Sequence, residues 1–176
     1  MPITRLAAAA LLCAAPLAAL AAPDCALGSA VYTPVVEPGD ADADYSAEMR
    51  PARPQAGNMA PVVLVMRKAS GESYSFRFHA PNGYGRLTVG VEVPPRQAGK
   101  KASRKAGSGE DDGAPTSTAQ FFDARMIRVE TLFDDKARAP AFMSLPDLGL
   151  GFWYWPAAAR TFVPPAGLWR LERCRT

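Results

Sequence analysis

The stretch that decides the fold is SYSFRFHAPNGYGRLTVGVEV, residues Ser73–Val93. Tyr74, Phe76, Phe78 and Ala80 alternate with Ser73, Ser75, Arg77 and His79, and Leu87, Val89, Val91 and Val93 alternate with Arg86, Thr88, Gly90 and Glu92. A hydrophobic period of two marks strands with one buried face. Between the two runs stands Asn82-Gly83, a dipeptide favoured in type I′ turns because both central residues need positive φ. The pattern predicts an antiparallel hairpin. With Asn82-Gly83 as the loop, Pro81 faces Tyr84, Phe78 faces Leu87, Phe76 faces Val89 and Tyr74 faces Val91. His79 then sits on the outer face opposite Arg86. A slip of a single residue would turn one apolar set toward solvent, and the alternation forbids it.

Upstream, Pro61–Met66 (PVVLVM) is a continuous apolar run of strand length, as expected of a strand covered on both faces at the centre of a sheet. Ala30–Val36 (AVYTPVV) is rich in β-branched residues but broken by Pro34, which predicts an edge strand. Glu37–Asn58 carries Pro38, Pro51 and Pro54 and reads as a long surface connection. Within it Asp40, Asp42 and Asp44 alternate like the first ligands of a calcium loop. That loop also needs Gly at its sixth position and Glu at its twelfth, where this chain has Tyr45 and Pro51. A solvated acidic loop is the simpler reading.

Downstream, Pro94–Ala114 is polar and glycine-rich, with Arg96, Lys100, Lys101, Arg104 and Lys105 followed by Glu110, Asp111 and Asp112. Nothing in it can build a core, so it is expected to be a disordered loop. Residues 117–136 hold no Gly or Pro, and Phe121, Phe122, Met126, Val129, Leu132 and Phe133 gather at helical spacing. Ser117 and Gln120 fit a capping box. A packed helix is expected there, with the β-branched Ile127, Val129 and Thr131 as the argument for a strand. The tail contains all three tryptophans. Leu148–Trp155 (LGLGFWYW) reads as a strand, with Leu150, Phe152 and Tyr154 inward and Trp153 and Trp155 outward beside Gly149 and Gly151. Leu168–Cys174 reads as a final strand with Trp169 and Leu171 on the core side. The fold class is mainly β: a small antiparallel sheet or sandwich with one packed helix.

The chain opens on an export signal. Arg5 precedes an apolar run of about 16 residues, shorter than the ~20 a bilayer-spanning helix needs, and Ala19-Leu20-Ala21 offers small residues for cleavage after Ala21. Residues 22–176 then form a single domain of about 155 residues, not an integral membrane protein. Of the three cysteines, Cys13 leaves with the signal. Cys25 and Cys174 remain, and in an exported chain such a pair forms a disulfide. Periplasmic or secreted localisation follows.

Several chemistries lack their residues. The net charge of +3 includes Arg5, so the mature chain carries too small an excess for a nucleic-acid surface. The single histidine, His79, has no nucleophile elbow to serve. One histidine and two oxidised cysteines do not make a zinc site, and no phosphate-binding glycine loop is present. No cofactor is implied. Glu130, Asp134, Asp135, Asp147 and Glu172 could supply a hydrolytic carboxylate pair, but no spacing singles one out. The function expected is therefore non-catalytic: binding of another protein of the cell envelope, in the manner of an inhibitor or immunity partner. Trp153 and Trp155, Tyr84 at the hairpin tip, and Lys100, Lys101, Arg104 and Lys105 are the residues expected to touch the partner. The alternative is a module that stacks glycans or small ligands on the two tryptophans.

Overall fold

The computed structural model describes residues 23–53, 60–79, 86–92, 114–130, 134–155 and 161–176. The expected signal peptide, the Asn82-Gly83 turn with Tyr84, and the loop with Lys100, Lys101, Arg104 and Lys105 lie outside these residues. The strands are β1 (Ala30–Pro34), β2 (Tyr45–Pro51), β3 (Val62–Lys68), β4 (Ser73–His79), β5 (Thr88–Val91), β6 (Thr116–Thr118), β7 (Gln120–Phe122), β8 (Arg128–Val129), β9 (Phe142–Ser144) and β10 (Leu168–Cys174). One α-helix is described, α1 (Leu148–Tyr154). The strands form one antiparallel sheet in the order β6-β5-β4-β3-β2-β1-β10-β9-β7-β8. The fold is thus mainly β with one helix, as the alternation in Ser73–Val93 implied.

The sheet curls because of a single stretch of chain. β6 pairs with β5 and β7 pairs with β9, near opposite ends of the strand order. Only Ala119 separates β6 from β7, and its N–H donates to Leu87 O at 2.9 Å. Ser117, Ala119 and Phe121 point inward and are buried. One extended segment therefore serves both ends of the sheet, and the sheet bends to reach it. The helix expected over 117–136 does not form. Phe121 does pair with Val129, but across a hairpin, while Met126 is exposed and Leu132 and Phe133 lie outside the described residues. Asp123 sets the turn: its carboxylate accepts the N–H groups of Arg125 (2.8 Å) and Ile127 (2.9 Å), an Asx-type turn that leaves Met126 at φ 62°. The backbone groups of β5 and β9 need partners, and that long-range demand outweighs local helical spacing.

Inward residues line up across the strands. Leu171, Tyr32, Ala47, Met66 and Tyr74 form one row, and Met49, Leu64, Phe76 and Val91 the next. β3 is interior and mostly buried, as its apolar run predicted. The β4–β5 hairpin is present, but its register differs. Phe76 pairs with Val91 and Phe78 with Val89, and His79 faces Thr88 and not Arg86. A shift of two residues conserves parity, so Phe76 and Phe78 still meet apolar partners. Alternation excludes odd slips and is blind to even ones.

Two further expectations are corrected. β1 is not an edge strand but lies between β2 and β10. Pro34 is its last residue, beyond Val31 and Tyr32, where β1 meets β2, so the missing N–H breaks no interior ladder. The supposed surface connection contains β2, with Tyr45, Ala47 and Met49 buried. Its polar alternates, Ser46, Glu48 and Arg50, had disguised a strand. Asp40 caps the short turn before β2, accepting the N–H of Asp42 at 2.9 Å.

The two ends of the chain meet at Cys25–Cys174, which are disulfide-bonded with Cα atoms 5.5 Å apart. Around this point Ala30 pairs with Cys174, and Tyr32, fully buried, donates its hydroxyl to Pro140 O at 2.9 Å. Burial raises the Tyr32 phenol well above its ordinary value. Trp169 and Leu171 of β10 face the core as expected, while Arg170 and Glu172 face solvent. No helix among the described residues is long and apolar enough to cross a membrane.

Candidate interaction surface

The tail does not continue the sheet at Leu148–Trp155. It turns helical, and the two glycines explain why it can. A Cβ on Gly149 would stand 2.3 Å from Pro164 O, and one on Gly151 would stand 2.9 Å from the Pro115 Cβ. Glycine lets α1 seat directly against the 161–165 segment and Pro115, closer than any side chain permits. Leu148, Gly149 and Phe152 make its inner face. The Phe152 ring lies 5.8 Å from Phe76, 5.0 Å from Tyr74 and 5.3 Å from Phe162.

The outer face is equally apolar. Leu150, Trp153 and Tyr154 are 64%, 70% and 74% exposed. Positions three and four apart share one side of a helix, so these three side chains form one patch. Trp155 does not join it. It is half-buried against Tyr74 (6.1 Å) and Phe152 (5.6 Å). The expected Trp153/Trp155 pair is therefore split, because residues two apart diverge on a helix where they would align on a strand. Leu150 and Tyr154, expected inside, are outside. A three-four period was present in Leu148–Trp155, but with apolar residues on both faces it could not be told from the two-period.

The helix rests on an anchored strap. Phe162 is fully buried among Tyr45, Tyr74 and Phe152. Val163 N–H donates to the Tyr45 hydroxyl at 3.0 Å, and Lys68 Nζ donates to Thr161 O at 2.7 Å. The Glu72 carboxylate accepts hydroxyl hydrogen bonds from Ser70 and from Thr161 (2.6 Å). These bonds, Ser70's first, pull its pKa from 4.5 down to about 2. A carboxylate that is more acidic when folded contributes stability above its unfolded pKa, and that contribution is lost as pH falls through the folded value. Glu72→Gln should therefore be less stable than the parent at pH 7. The gap should narrow between pH 4.5 and pH 2, as read by urea denaturation at each pH. A gap independent of pH would remove Glu72 from the anchoring of the strap.

Other groups named from sequence are dispersed. His79 is exposed at the end of β4. Glu130, Asp134, Asp147 and Glu172 are exposed on separate segments, and Asp135 is half-buried. Among the described residues no three His, Cys, Asp or Glu side chains gather as metal ligands would. A depression of about 370 Å³ lies between the β7–β8 turn and residues 138–141. The arginines on its wall, Arg125 and Arg138, are already paired with Asp123 (3.4 Å) and Asp24 (3.1 Å).

Compared with known protein families, with curated proteins and with solved structures, the chain shows no match.

Proposed function

We propose that this is an exported, non-catalytic interaction protein that docks on another protein of the cell envelope through the outward face of α1. The observation that carries the reading is the exposure of Leu150, Trp153 and Tyr154 together on one short helix. Trp and Tyr are the side chains most enriched among residues that dominate binding energy at protein interfaces. Their mounting favours the same use. The inner face of α1 is locked by glycine contacts and ring packing, so the outer side chains are presented with little conformational freedom left to lose on binding. The disulfide suits an oxidising compartment, in keeping with export and with a partner in the envelope. The glycan alternative draws no support from a Trp pair that is split between the surface and the core.

The test is site-specific photocrosslinking in the exporting cell. A benzophenone amino acid in place of Tyr154 should give a covalent adduct with a protein. The same label at the exposed Arg128, on β8, should not. Leu150→Ala with Trp153→Ala should abolish the adduct, and Trp153→Ala alone should weaken the complex by about 2 kcal/mol or more. Its effect on folding should stay within about 0.5 kcal/mol, as for an exposed side chain. If position 154 captures no protein, the docking role of α1 is wrong.

A further inference from the structure

The outer face of the sheet carries a second feature, independent of α1. Its residues alternate with the buried rows, and reading across the register gives Arg173 of β10, Val31 of β1, Glu48 of β2, Val65 of β3 and Ser75 of β4. In the adjacent rows Arg50 faces Val63, which faces Arg77, and Ser46 faces Arg67. Arg175 follows Arg173 two residues on, past the end of β10.

Glu48 organises these side chains. Its Oε2 accepts Nε (2.9 Å) and Nη2 (2.5 Å) of Arg50, and its Oε1 lies 3.7 Å from Arg67 Nε. Burial works to raise the Glu48 pKa, but the hydrogen bond and charge of Arg50, with the charges of Arg67 and Arg175, hold it below the usual carboxylate range. Arg175 Nη2 donates to Gly28 O at 3.1 Å. Arg77, on the same face, is paired with Glu92 and adds no net charge. Val31 and Val65 are buried although they point to this side. The long arginine stems next to them in register are the side chains able to cover them.

Arg50, Arg67 and Arg175 thus act on one carboxylate, and Arg173 stands in the same row two strands away, so four arginines face one Glu48 with an excess of three positive charges. One carboxylate can satisfy few of their N–H donors, so several remain for a ligand. The cations of this cluster are all arginine, whose planar fork matches phosphate oxygens two at a time, where lysine offers a point charge. From β10 to β3 the cluster spans three strand spacings, about 14 Å. A single phosphate cannot bridge that width; a series of phosphates can.

We propose that this face binds phosphate groups displayed in multiple copies, on a membrane surface of anionic lipid headgroups or along a soluble polyphosphate. The oxidised protein recovered after export would be tested in two arms. One is co-sedimentation with vesicles of phosphatidylglycerol in phosphatidylcholine, and the other is retention on immobilised inorganic polyphosphate. Binding is expected at low ionic strength and should fall as salt screens the contacts. Arg67→Gln with Arg173→Gln should weaken it about 10- to 30-fold, the effect of two basic residues lost near an anionic surface, with an unchanged urea midpoint showing that the fold is intact. Neutralising Lys100, Lys101, Arg104 and Lys105 should leave most of the binding in place. Retention by vesicles alone assigns the phosphates to lipid, and retention by polyphosphate alone to a soluble polymer. Failure to bind either, or full binding by the Arg67/Arg173 variant, overturns the proposal.

Discussion

Replacing Cys25 and Cys174 together by Ser is expected to produce the largest loss of stability. The bridge joins residues 149 apart in sequence, so in the unfolded chain it closes almost the whole domain. Loop-closure entropy for a ring of that length is worth about 5 kcal/mol at 25 °C, comparable to the entire stability of many small domains. Native contacts at the junction add to the effect. Ala139 N–H donates to Cys25 O at 2.7 Å, and Arg175 N–H donates to Ser29 O at 2.7 Å, so the bridge also holds β1 and β10 to the 137–139 segment. Urea denaturation should show a strongly reduced midpoint. It should also show an increased m-value, because the freed unfolded chain exposes more surface. Reduction of the parent with a thiol should reproduce both changes. An unchanged midpoint would mean that sheet closure, not the disulfide, holds the ends together.

Phe162→Ala should follow closely, at about 3–5 kcal/mol. The ring is fully buried and touches three others, with centroids 4.6 Å from Tyr74, 5.3 Å from Phe152 and 5.4 Å from Tyr45. Removing it leaves a cavity beneath both the strap and α1. A second consequence distinguishes this site from other core positions. With its support gone, α1 should loosen, so Trp153 and Trp155 should change their fluorescence before global unfolding, while Trp169 in β10 stays protected. Selective quenching of part of the tryptophan signal at low urea would be the sign. A single cooperative loss of all three signals at an unchanged midpoint would show that the strap does not carry the helix.

Legibility in the sequence followed the range of the interactions. Alternation in Ser73–Val93 specified strands, faces and antiparallel pairing, because a two-residue period is a local property. It left the hairpin register open by two residues, since Phe76 packs as well on Val91 as on Val89 when all are apolar. The continuous apolar run of β3 and the alternation of β10 were readable because they too are local properties. β2 was not: Ser46, Glu48 and Arg50 give it a polar outer face, and three nearby prolines resembled loop punctuation. Of the interaction surface, Trp153 was legible as an outward aromatic. Leu150 and Tyr154 were assigned to the wrong side because a strand period was read where a helix forms.

The sequence by itself determined a mainly β fold, the strands β3, β4, β5 and β10 with their buried faces, and the pairing of Cys25 with Cys174. Each depends on local periodicity or on simple counting. Tertiary structure alone decided that Thr116–Phe122 is extended and that Leu148–Tyr154 is helical. The first outcome arises because this segment supplies backbone partners on the second side of both β5 and β9, whose first sides are taken by β4 and β10. The second arises because Gly149 and Gly151 allow a helix to lie against Pro164 and Pro115, a contact between residues distant in the chain. No window of neighbouring residues contains either reason.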